Sequence, residues 1–194
     1  MSPAQAPGDQ DARLAALAER VRRVTVEVRG AGRGHGSGVI WGREGRIVTN
    51  AHVARGRPTV VLSDGRVFEA HVVAWDPARD LAALRIGARE LPAAEIGDSD
   101  ALRVGELVFA VGSPFGLRGA LSTGMVHAVP RGGPDGSRFI RADLRLAPGN
   151  SGGPLADARG RVVGINAMIH GGLALAIPSN VVEGFLGARA GAGP

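Results

Sequence analysis

The amino-acid sequence predicts an all-β protein that is built from two similar halves. Short apolar or alternating segments recur along the chain, and turn signals rich in glycine, proline, asparagine and aspartate separate them. Helical periodicity occurs near the two ends of the sequence and not between them. A polar connection at residues 88–103 divides the strands into two sets, which favours a barrel or a sandwich.

Composition excludes several classes of function. The chain has 194 residues, which suffices for one domain or for two small barrels that share an interface. All 23 basic residues are arginine and the net charge is +5, but no block of five or more like charges occurs, so we expect no nucleic-acid partner. Cysteine is absent, which rules out disulfides and thiolate chemistry and fits a reducing compartment.

The ends of the sequence show no recognisable targeting signal. Residues 1–8 lack a basic region and an apolar region and are interpreted as a disordered leader, and residues 189–194 are interpreted as a tail. Uninterrupted apolar runs such as residues 107–111 are far too short to span a bilayer. We therefore expect no membrane partner, and the sequence leaves the compartment open while favouring the cytoplasm.

The first half contains one predicted helix and six predicted strands. Apolar residues recur three and four apart between residues 11 and 22, which indicates a short amphipathic helix. A glycine-rich loop at residues 30–38 holds His35; it lacks the Gly-x-Gly-x-x-Gly spacing and precedes a strand, so it is not a phosphate-binding loop. Asp64-Gly65 marks a hairpin turn. The predicted strands are residues 24–29, 38–41, 46–49, 59–62, 67–75 and 81–86.

The second half contains five predicted strands and one predicted helix. Asn180, with Glu183 three positions later, predicts a capped helix at residues 181–188. Residues 146–155 contain three glycines and two prolines, so this segment cannot be a helix and makes a poor strand. The predicted strands are residues 106–111, 120–129, 138–146, 161–168 and 173–177.

The segment at residues 146–155 is the first candidate for a functional site. Its sequence, Leu-Ala-Pro-Gly-Asn-Ser-Gly-Gly-Pro-Leu, predicts a tight loop that presents backbone N–H groups beside the hydroxyl of Ser151. An acyl-transfer enzyme needs such a loop, because preorganised donors must meet the oxyanion of the tetrahedral intermediate. Taken alone, the segment is also explained as a turn between two strands.

His52 is the second candidate. It follows an apolar strand, and a rigid strand end can hold an imidazole in one orientation, as a general base requires. On its own this position suits a structural histidine as well. The five histidines show no His-Glu-x-x-His spacing and no cysteine assists them, so we expect no metal site. His71 and His127 lie within predicted strands and are interpreted as structural or surface residues.

Asp80 is the third candidate. It stands at the entrance of an apolar strand, where a half-buried carboxylate can accept the imidazole N–H and fix its tautomer. Asp76 competes for this role, but it precedes a proline and is interpreted as a turn initiator. The resulting chain order of His52, Asp80 and Ser151 is that of the chymotrypsin class.

Serine, aspartate and histidine also occur along the chain in a second order. An α/β-hydrolase requires Ser, Asp and His in that order, which Ser151, Asp157 and His170 supply. Pro154 blocks the helix that must follow the nucleophile in that fold, and the alternating helices are missing from the pattern. The sequence therefore disfavours an α/β-hydrolase.

Several motifs in register resemble the HtrA (Deg) family of trypsin-like serine proteases. The resemblance covers about residues 10–188 and implies two perpendicular six-stranded antiparallel β-barrels of the chymotrypsin fold, with short N- and C-terminal helices. It implies one protease domain at residues 9–188, with barrels at about 23–95 and 104–180 and a site in the cleft between them. The motifs are Thr-Asn-Ala-His-Val at 49–53, residues 76–84, Gly-Ser-Pro-Phe-Gly-Leu at 112–117, residues 148–155 and Ala-Ile-Pro-Ser-Asn at 176–180.

The resemblance assigns roles to the three candidates. It implies that Ser151 is the nucleophile, that His52 is the general base and then the general acid, and that Asp80 orients the imidazole. Backbone N–H groups of Gly149 and Ser151 would form the oxyanion hole, and Asn150 would shape its turn. The implied activity is that of a serine endopeptidase acting on unfolded or loosely structured proteins, without a cofactor. The alternative is a non-proteolytic, chaperone-like module that binds peptides in the same cleft.

The resemblance also implies a substrate pocket that favours small aliphatic side chains. Ile169 fits the wall of such a pocket, and His170, the next residue, is also a candidate for it. Arg145 lies six residues before the serine, where the chymotrypsin class places the pocket base, so one hypothesis is that it binds an acidic substrate side chain. In the alternative, Arg145 points outward between two leucines or pairs with Asp143, and strand alternation favours this alternative.

Partners follow from the same resemblance. Protein or peptide substrates are implied, and neither nucleic acid nor a membrane is expected. Members of the family commonly carry PDZ domains after the protease domain, and none is predicted in this sequence. Family trimers use N-terminal contacts that are often aromatic, but no aromatic residue precedes Trp41. A homotrimer is consistent with the resemblance alone, and the oligomeric state stays open.

Overall fold

The first half of the chain folds into a helix and a closed six-stranded antiparallel barrel. Its elements are α1 (Asp9–Arg23), β1 (Thr25–Arg29), β2 (His35–Gly42), β3 (Arg46–Thr49), β4 (Thr59–Val61), β5 (Val67–Asp76) and β6 (Leu81–Ile86). The strands lie in the order β1-β2-β3-β6-β5-β4, and β4 pairs with β1 to close the barrel. Closure removes the unpaired strand edges that an open sheet would present.

The second half forms another closed six-stranded antiparallel barrel. Its elements are β7 (Leu107–Gly112), β8 (Ala120–Ala128), β9 (Ile140–Asp143), β10 (Pro154–Asp157), β11 (Val162–His170), β12 (Leu173–Pro178) and α2 (Ser179–Ala190), with short 3-10 turns at Ser99–Ala101 and Pro114–Gly116. The strand order is β10-β11-β12-β9-β8-β7, closed by pairing of β10 with β7. The predicted all-β architecture with terminal helices is confirmed.

A computed structural model describes residues 9–30, 35–130 and 138–190 of the chain. The leader predicted at residues 1–8 and the last part of the predicted tail, residues 191–194, lie outside the described residues. In the described part of the chain, no helix has the length and apolarity to cross a membrane.

The two barrels share a hydrophobic interface in addition to their own cores. In β3, Ile47 packs inside the first barrel, whereas Val48 belongs to a different apolar cluster that includes Val162 and Ile177 of the second barrel. Because successive strand residues point to opposite faces, β3 is buried on both sides. The interior of the second barrel holds a separate apolar cluster around Ile140. The interface therefore fixes the position of one barrel against the other.

Helix α1 packs on the second barrel, although it leads directly into the first strand of the first barrel. Leu17 and Val21 form a buried cluster with Phe109, Val111 and Ala156. These two helical residues lie four apart on one face of the helix, as the apolar periodicity predicts. The N-terminal helix therefore contributes to the joining of the two halves of the chain.

Strand β10 was not predicted from the sequence. It begins at Pro154, directly after the glycine-rich loop, and pairs with both β7 and β11. Proline lacks a backbone N–H but is tolerated as the first residue of a strand. Two other strand ends lie three residues from the predicted ones: β2 starts at His35, opposite Arg29, so this histidine does not lie in a loop, and β9 ends at Asp143.

Helix α2 starts earlier than predicted and is not capped by Asn180. It begins at Ser179, whose hydroxyl donates to the carbonyl oxygen of Gly97 at 2.6 Å. The Asn180 amide donates to Asp98 at 2.8 Å, and this contact, together with backbone N–H donors, lowers the pKa of the Asp98 carboxyl. Glu183 accepts from the indole of Trp41 at 2.7 Å, so both residues of the proposed capping box bond to other parts of the fold.

Two glycine-to-alanine substitutions should change stability in opposite directions. A Cβ at Gly124 in β8 would overlap the carbonyl oxygen of Asp143, whereas a Cβ at Gly184 in α2 would meet nothing within 4 Å. We expect Gly124→Ala to reduce the free energy of unfolding by about 1–3 kcal/mol through overpacking. Gly184→Ala should raise it by about 0.5–1 kcal/mol, because alanine favours helix. Urea denaturation measures both, and equal stabilities would contradict the barrel register.

Candidate active site

His52 and Asp80 lie at the adjoining ends of two neighbouring strands. Strands β3 and β6 pair with Thr49 opposite Ala82, so the residue that precedes β6 lies beside the turn that follows β3. The imidazole Nδ1 of His52 lies 2.8 Å and 3.0 Å from the two carboxylate oxygens of Asp80. Because a carboxylate only accepts, Nδ1 carries the proton, which leaves the Nε2 lone pair of a neutral ring available as a base.

The backbone reinforces this side-chain pair. The N–H of His52 donates to Asp80 Oδ1 at 3.0 Å. The carbonyl oxygen of Asp80 accepts from the Asn50 side-chain amide at 3.0 Å and from the Ala51 N–H at 3.2 Å. Asp80 has a φ of +55°, a left-handed conformation that aspartate tolerates better than most residues. Asp80 is thus bonded to three consecutive residues of the histidine turn.

Asp76, the other candidate for the role of Asp80, forms its hydrogen bonds within its own turn. It accepts from the Arg79 N–H at 3.0 Å and from the Arg79 guanidinium at 2.7 Å. Burial by itself would raise the pKa of the Asp76 carboxyl, but the N–H and the positive charge of Arg79 hold the pKa below its ordinary value. Asp76 therefore acts as the turn initiator that its place before Pro77 predicts.

Ser151 lies in the loop between β9 and β10, on the second barrel. Its hydroxyl donates to the carbonyl oxygen of Ala167 in β11 at 3.0 Å, and among the described residues it has no hydrogen bond to His52. A Cβ placed on Gly36 would lie 2.5 Å from Val53 and 3.0 Å from the Ser151 carbonyl oxygen, so the serine loop packs close to the turn that holds the histidine. Catalytic hydrogen bonds are often loose without substrate.

The residues before Ser151 form a type II turn. The Asn150 N–H donates to the Ala147 carbonyl at 3.0 Å, and Gly149 has a φ of +107°. Pro148 fixes a negative φ at the second turn position, and a positive φ at the third position then defines type II. Asn150, predicted within the oxyanion hole, therefore uses its N–H to close the turn. Within the described residues, the N–H groups of Gly149 and Ser151 donate to no acceptor.

The glycines after the nucleophile are required by close backbone approach. A Cβ on Gly152 would overlap the carbonyl oxygen of Ser37 and the hydroxyl of Thr49. A Cβ on Gly153 would overlap the Val111 carbonyl oxygen. Backbone atoms of both barrels thus lie against these two glycines, which leaves no room for a side chain at either position.

The residues predicted for the substrate pocket are all solvent-exposed. Arg145 is exposed, and it follows the buried Leu144 just beyond the end of β9. Ile169 is 52% exposed and His170 is exposed at the end of β11. Asp157, which the α/β-hydrolase order requires, is instead buried and held by Arg161 at 2.6 Å.

Sequence reasoning missed Ser37, a fully buried residue of β2 that bonds to the serine loop. Its position between Gly36 and Gly38 is the one signal that could have found it, because glycines within a strand often mark close approach of another backbone segment. Among the described residues, no group of three or more histidine, aspartate or glutamate side chains could hold a metal ion.

Two antiparallel barrels, with a histidine–aspartate pair on one and a glycine-framed serine on the other, are the architecture of trypsin-like peptidases. The family model described as trypsin-like peptidase domain matches residues 36–165, a range that includes both segments. The chain belongs to this family.

Within the trypsin-like peptidases, similarity to named relatives confirms the resemblance of the chain to the HtrA (Deg) proteases. Protease Do-like 1, chloroplastic, of Arabidopsis thaliana is 39% identical over 186 residues, covering 88% of this chain and 42% of that protein. A protein of Halomonas elongata named "Probable periplasmic serine endoprotease DegP-like" is 42% identical over 156 residues, covering 75% of this chain and 33% of that protein.

A solved structure of the HtrA-type protease AlgW with a tripeptide has a TM-score of 0.84 and 32% identity to this chain. The match covers 92% of this chain and 64% of that one. The chain thus spans about a third to two fifths of the length of the curated relatives described above.

The cytoplasmic preference drawn from the sequence is wrong. Relatives from Halomonas elongata, Pseudomonas fulva and a Marinomonas species are all named as periplasmic endoproteases. The absence of cysteine, which suggested a reducing compartment, is compatible with either side of a membrane because a protein without cysteine forms no disulfide in either.

The nucleophile loop should be sensitive to a substitution that lies outside it. A Cβ on Gly112, at the end of β7, would overlap Asn150 Oδ1 and lie 2.9 Å from Asn150 Cα. We expect Gly112→Ala to cost about 1–3 kcal/mol of stability and to accelerate hydrogen exchange at the Asn150 amide. Gly87→Ala, where a Cβ meets nothing within 4 Å, is the matched control. Equal Asn150 exchange in both variants would contradict the packing.

Proposed function

We propose that this chain is a serine endopeptidase that cleaves unfolded or loosely structured proteins through an acyl-enzyme on Ser151. Two features together carry the proposal. One is the His52 imidazole bonded to Asp80, and the other is a serine flanked by backbone N–H groups that lack an acceptor among the described residues. A general base and a preorganised oxyanion site are the two requirements of serine-based acyl transfer.

Acylation would begin with a rotation of the Ser151 hydroxyl from the Ala167 carbonyl toward Nε2 of His52. His52 takes the hydroxyl proton as Oγ bonds to the substrate carbonyl carbon, and the carbonyl π electrons move to oxygen. The tetrahedral intermediate then collapses: its carbon–nitrogen bond breaks, and His52 returns the proton to the leaving amine. Asp80 stays ionised throughout and stabilises the transient imidazolium.

The oxyanion would be met by the N–H groups of Gly149 and Ser151. The type II turn orients the Gly149 N–H before substrate arrives, so no peptide rotation is needed at the moment of reaction. Losing one such donor costs on the order of 3 kcal/mol in transition-state stabilisation in comparable enzymes.

Deacylation would use the same residues in a second cycle. His52 removes a proton from a water molecule, whose oxygen bonds to the acyl carbon, and the second tetrahedral intermediate expels Ser151 Oγ. His52 gives its proton to that oxygen, which restores the hydroxyl and releases the new carboxylic acid, whose remaining proton passes to solvent. No cofactor enters this sequence of steps.

Protein substrates are supported by the relatives, several of which are named endoproteases, and by the tripeptide in the HtrA-type structure. For the pocket, we retain Ile169 and His170 as candidates for contact with the substrate side chain. The exposure of Arg145 beside the buried Leu144 favours the outward orientation of its guanidinium over a role at the pocket base.

Covalent labelling tests the proposed activity directly. A fluorophosphonate probe should label the wild-type protein on Ser151 and leave Ser151→Ala unlabelled, as measured by intact-protein mass. Asp80→Asn should retain the fold but react on the order of 10⁴-fold more slowly, because the wrong imidazole tautomer would be stabilised. A wild-type protein that binds unfolded substrate but takes up no probe would instead be a peptide-binding module.

Peptide-library profiling tests the role of Arg145. We expect wild-type protein and Arg145→Ala to select the same residues at the cleaved position, without enrichment of aspartate or glutamate, because the exposed guanidinium is screened by water. Selection of acidic residues by the wild type, lost in Arg145→Ala, would show that Arg145 forms the pocket base.

A further inference from the structure

We propose that Ser37 is a positioning residue that fastens the oxyanion-hole segment of the second barrel to the first barrel. The inference deepens the proposed peptidase function and rests on it. Ser37 lies in β2 of the first barrel and is 0% exposed. Within the described part of the chain, none of its hydrogen bonds goes to His52, and two go to Gly149 and Ser151, so its effect would be transmitted through these two residues.

Ser37 bonds to both ends of the segment at residues 149–151. Its N–H donates to the Ser151 carbonyl oxygen at 2.7 Å, and its hydroxyl donates to the Gly149 carbonyl oxygen at 2.7 Å. A planar peptide unit cannot rotate when its carbonyl is held. The two bonds therefore restrain the peptide units that follow Gly149 and Ser151, and so the chain on both sides of the nucleophile.

The direction of the hydroxyl proton follows from its neighbours. The Ser113 N–H donates to Ser37 Oγ at 2.9 Å, so this contact uses the hydroxyl as an acceptor. The one hydroxyl proton is then free to donate to the Gly149 carbonyl, which can only accept. Among the described residues, both side-chain hydrogen bonds of Ser37 thus go to loops of the second barrel and none to its own sheet.

This distribution of bonds distinguishes a positioning role from an ordinary buried serine. An unpaired hydroxyl in a fully buried site is unfavourable, so a residue needed only to fill space would be alanine. The Thr49 hydroxyl also donates to the Ser37 carbonyl at 2.6 Å, which holds the serine backbone itself in place. Glycine has little conformational preference of its own, so Gly149 needs such outside restraints to keep one conformation.

The experiment compares Ser37→Ala with Ser179→Ala. Ser179 is an equally buried serine whose hydroxyl donates to a glycine carbonyl, that of Gly97 at 2.6 Å, but at the start of helix α2. Ser37→Ala loses a donated and an accepted hydrogen bond of its hydroxyl and Ser179→Ala loses a donated one, so both variants should be less stable than the wild type, Ser37→Ala by the larger amount. Ser37→Cys, which keeps the shape and a weak S–H donor, serves as the conservative variant and as a substitute if Ser37→Ala does not fold.

The readouts are the steady-state constants for a peptide substrate and the affinity for a matching peptide boronic acid, which bonds to Ser151 Oγ and places an oxygen in the oxyanion hole. We expect Ser37→Ala to lower kcat by about ten-fold to a hundred-fold and to weaken boronate binding in parallel, with KM nearly unchanged. The kcat of Ser37→Cys should be intermediate between those of the wild type and Ser37→Ala, and Ser179→Ala should retain the wild-type kcat.

Two failures are distinguishable. A wild-type protein that neither hydrolyses peptide nor reacts with boronate would overturn the proposed peptidase function, whatever Ser37 does. In the second case the wild type is active, but Ser37→Ala and Ser37→Cys lose no more kcat than Ser179→Ala. This result would support the proposed function and contradict the positioning role of Ser37. A change in KM alone, without a change in kcat, would also contradict the positioning role, because it would show that the oxyanion hole is intact.

Discussion

The geometry of the candidate site depends on the attachment of Asp80 to the turn after β3. Asp80 uses its carbonyl oxygen for Asn50 and Ala51 and its carboxylate for the backbone and imidazole of His52. The ring therefore cannot turn away without breaking contacts to a residue that is itself anchored by the β3–β6 pairing. This arrangement explains why the histidine can be half exposed to solvent and still be held in one orientation.

Local sequence signals predicted most of the fold because the strands are short and turn residues separate them. Strand β6 and the Asp64-Gly65 turn follow directly from residue types whose backbone preferences agree with the fold. Prediction failed where tertiary contacts overrode such preferences. Pro154 starts a buried strand because two neighbouring strands bond to the residues after it, and Asn180 bonds to Asp98 rather than capping its helix. A single sequence does not display those partners.

The candidate site was predicted through the order and spacing of His52, Asp80 and Ser151, together with the family resemblance. Two features of the site were not predicted, since both depend on contacts between segments that lie apart in the sequence. One is the Ser151 hydroxyl, which points to a carbonyl of β11 in this structure. The other is Ser37, which is more than a hundred positions from Gly149 in the sequence and within hydrogen-bond distance of it in space.

The pairing of β7 with β10 has a consequence for the timing of activity during folding. This pairing closes the second barrel, and it joins Ala110 to Leu155, residues separated by most of that barrel's sequence. Long-range pairings carry a large loop-closure entropy and form late. The serine loop immediately precedes β10, so we expect it to take its shape only when β10 pairs with β7. Under the proposed function, a chain that has not yet formed this pairing would be unable to digest itself or its neighbours.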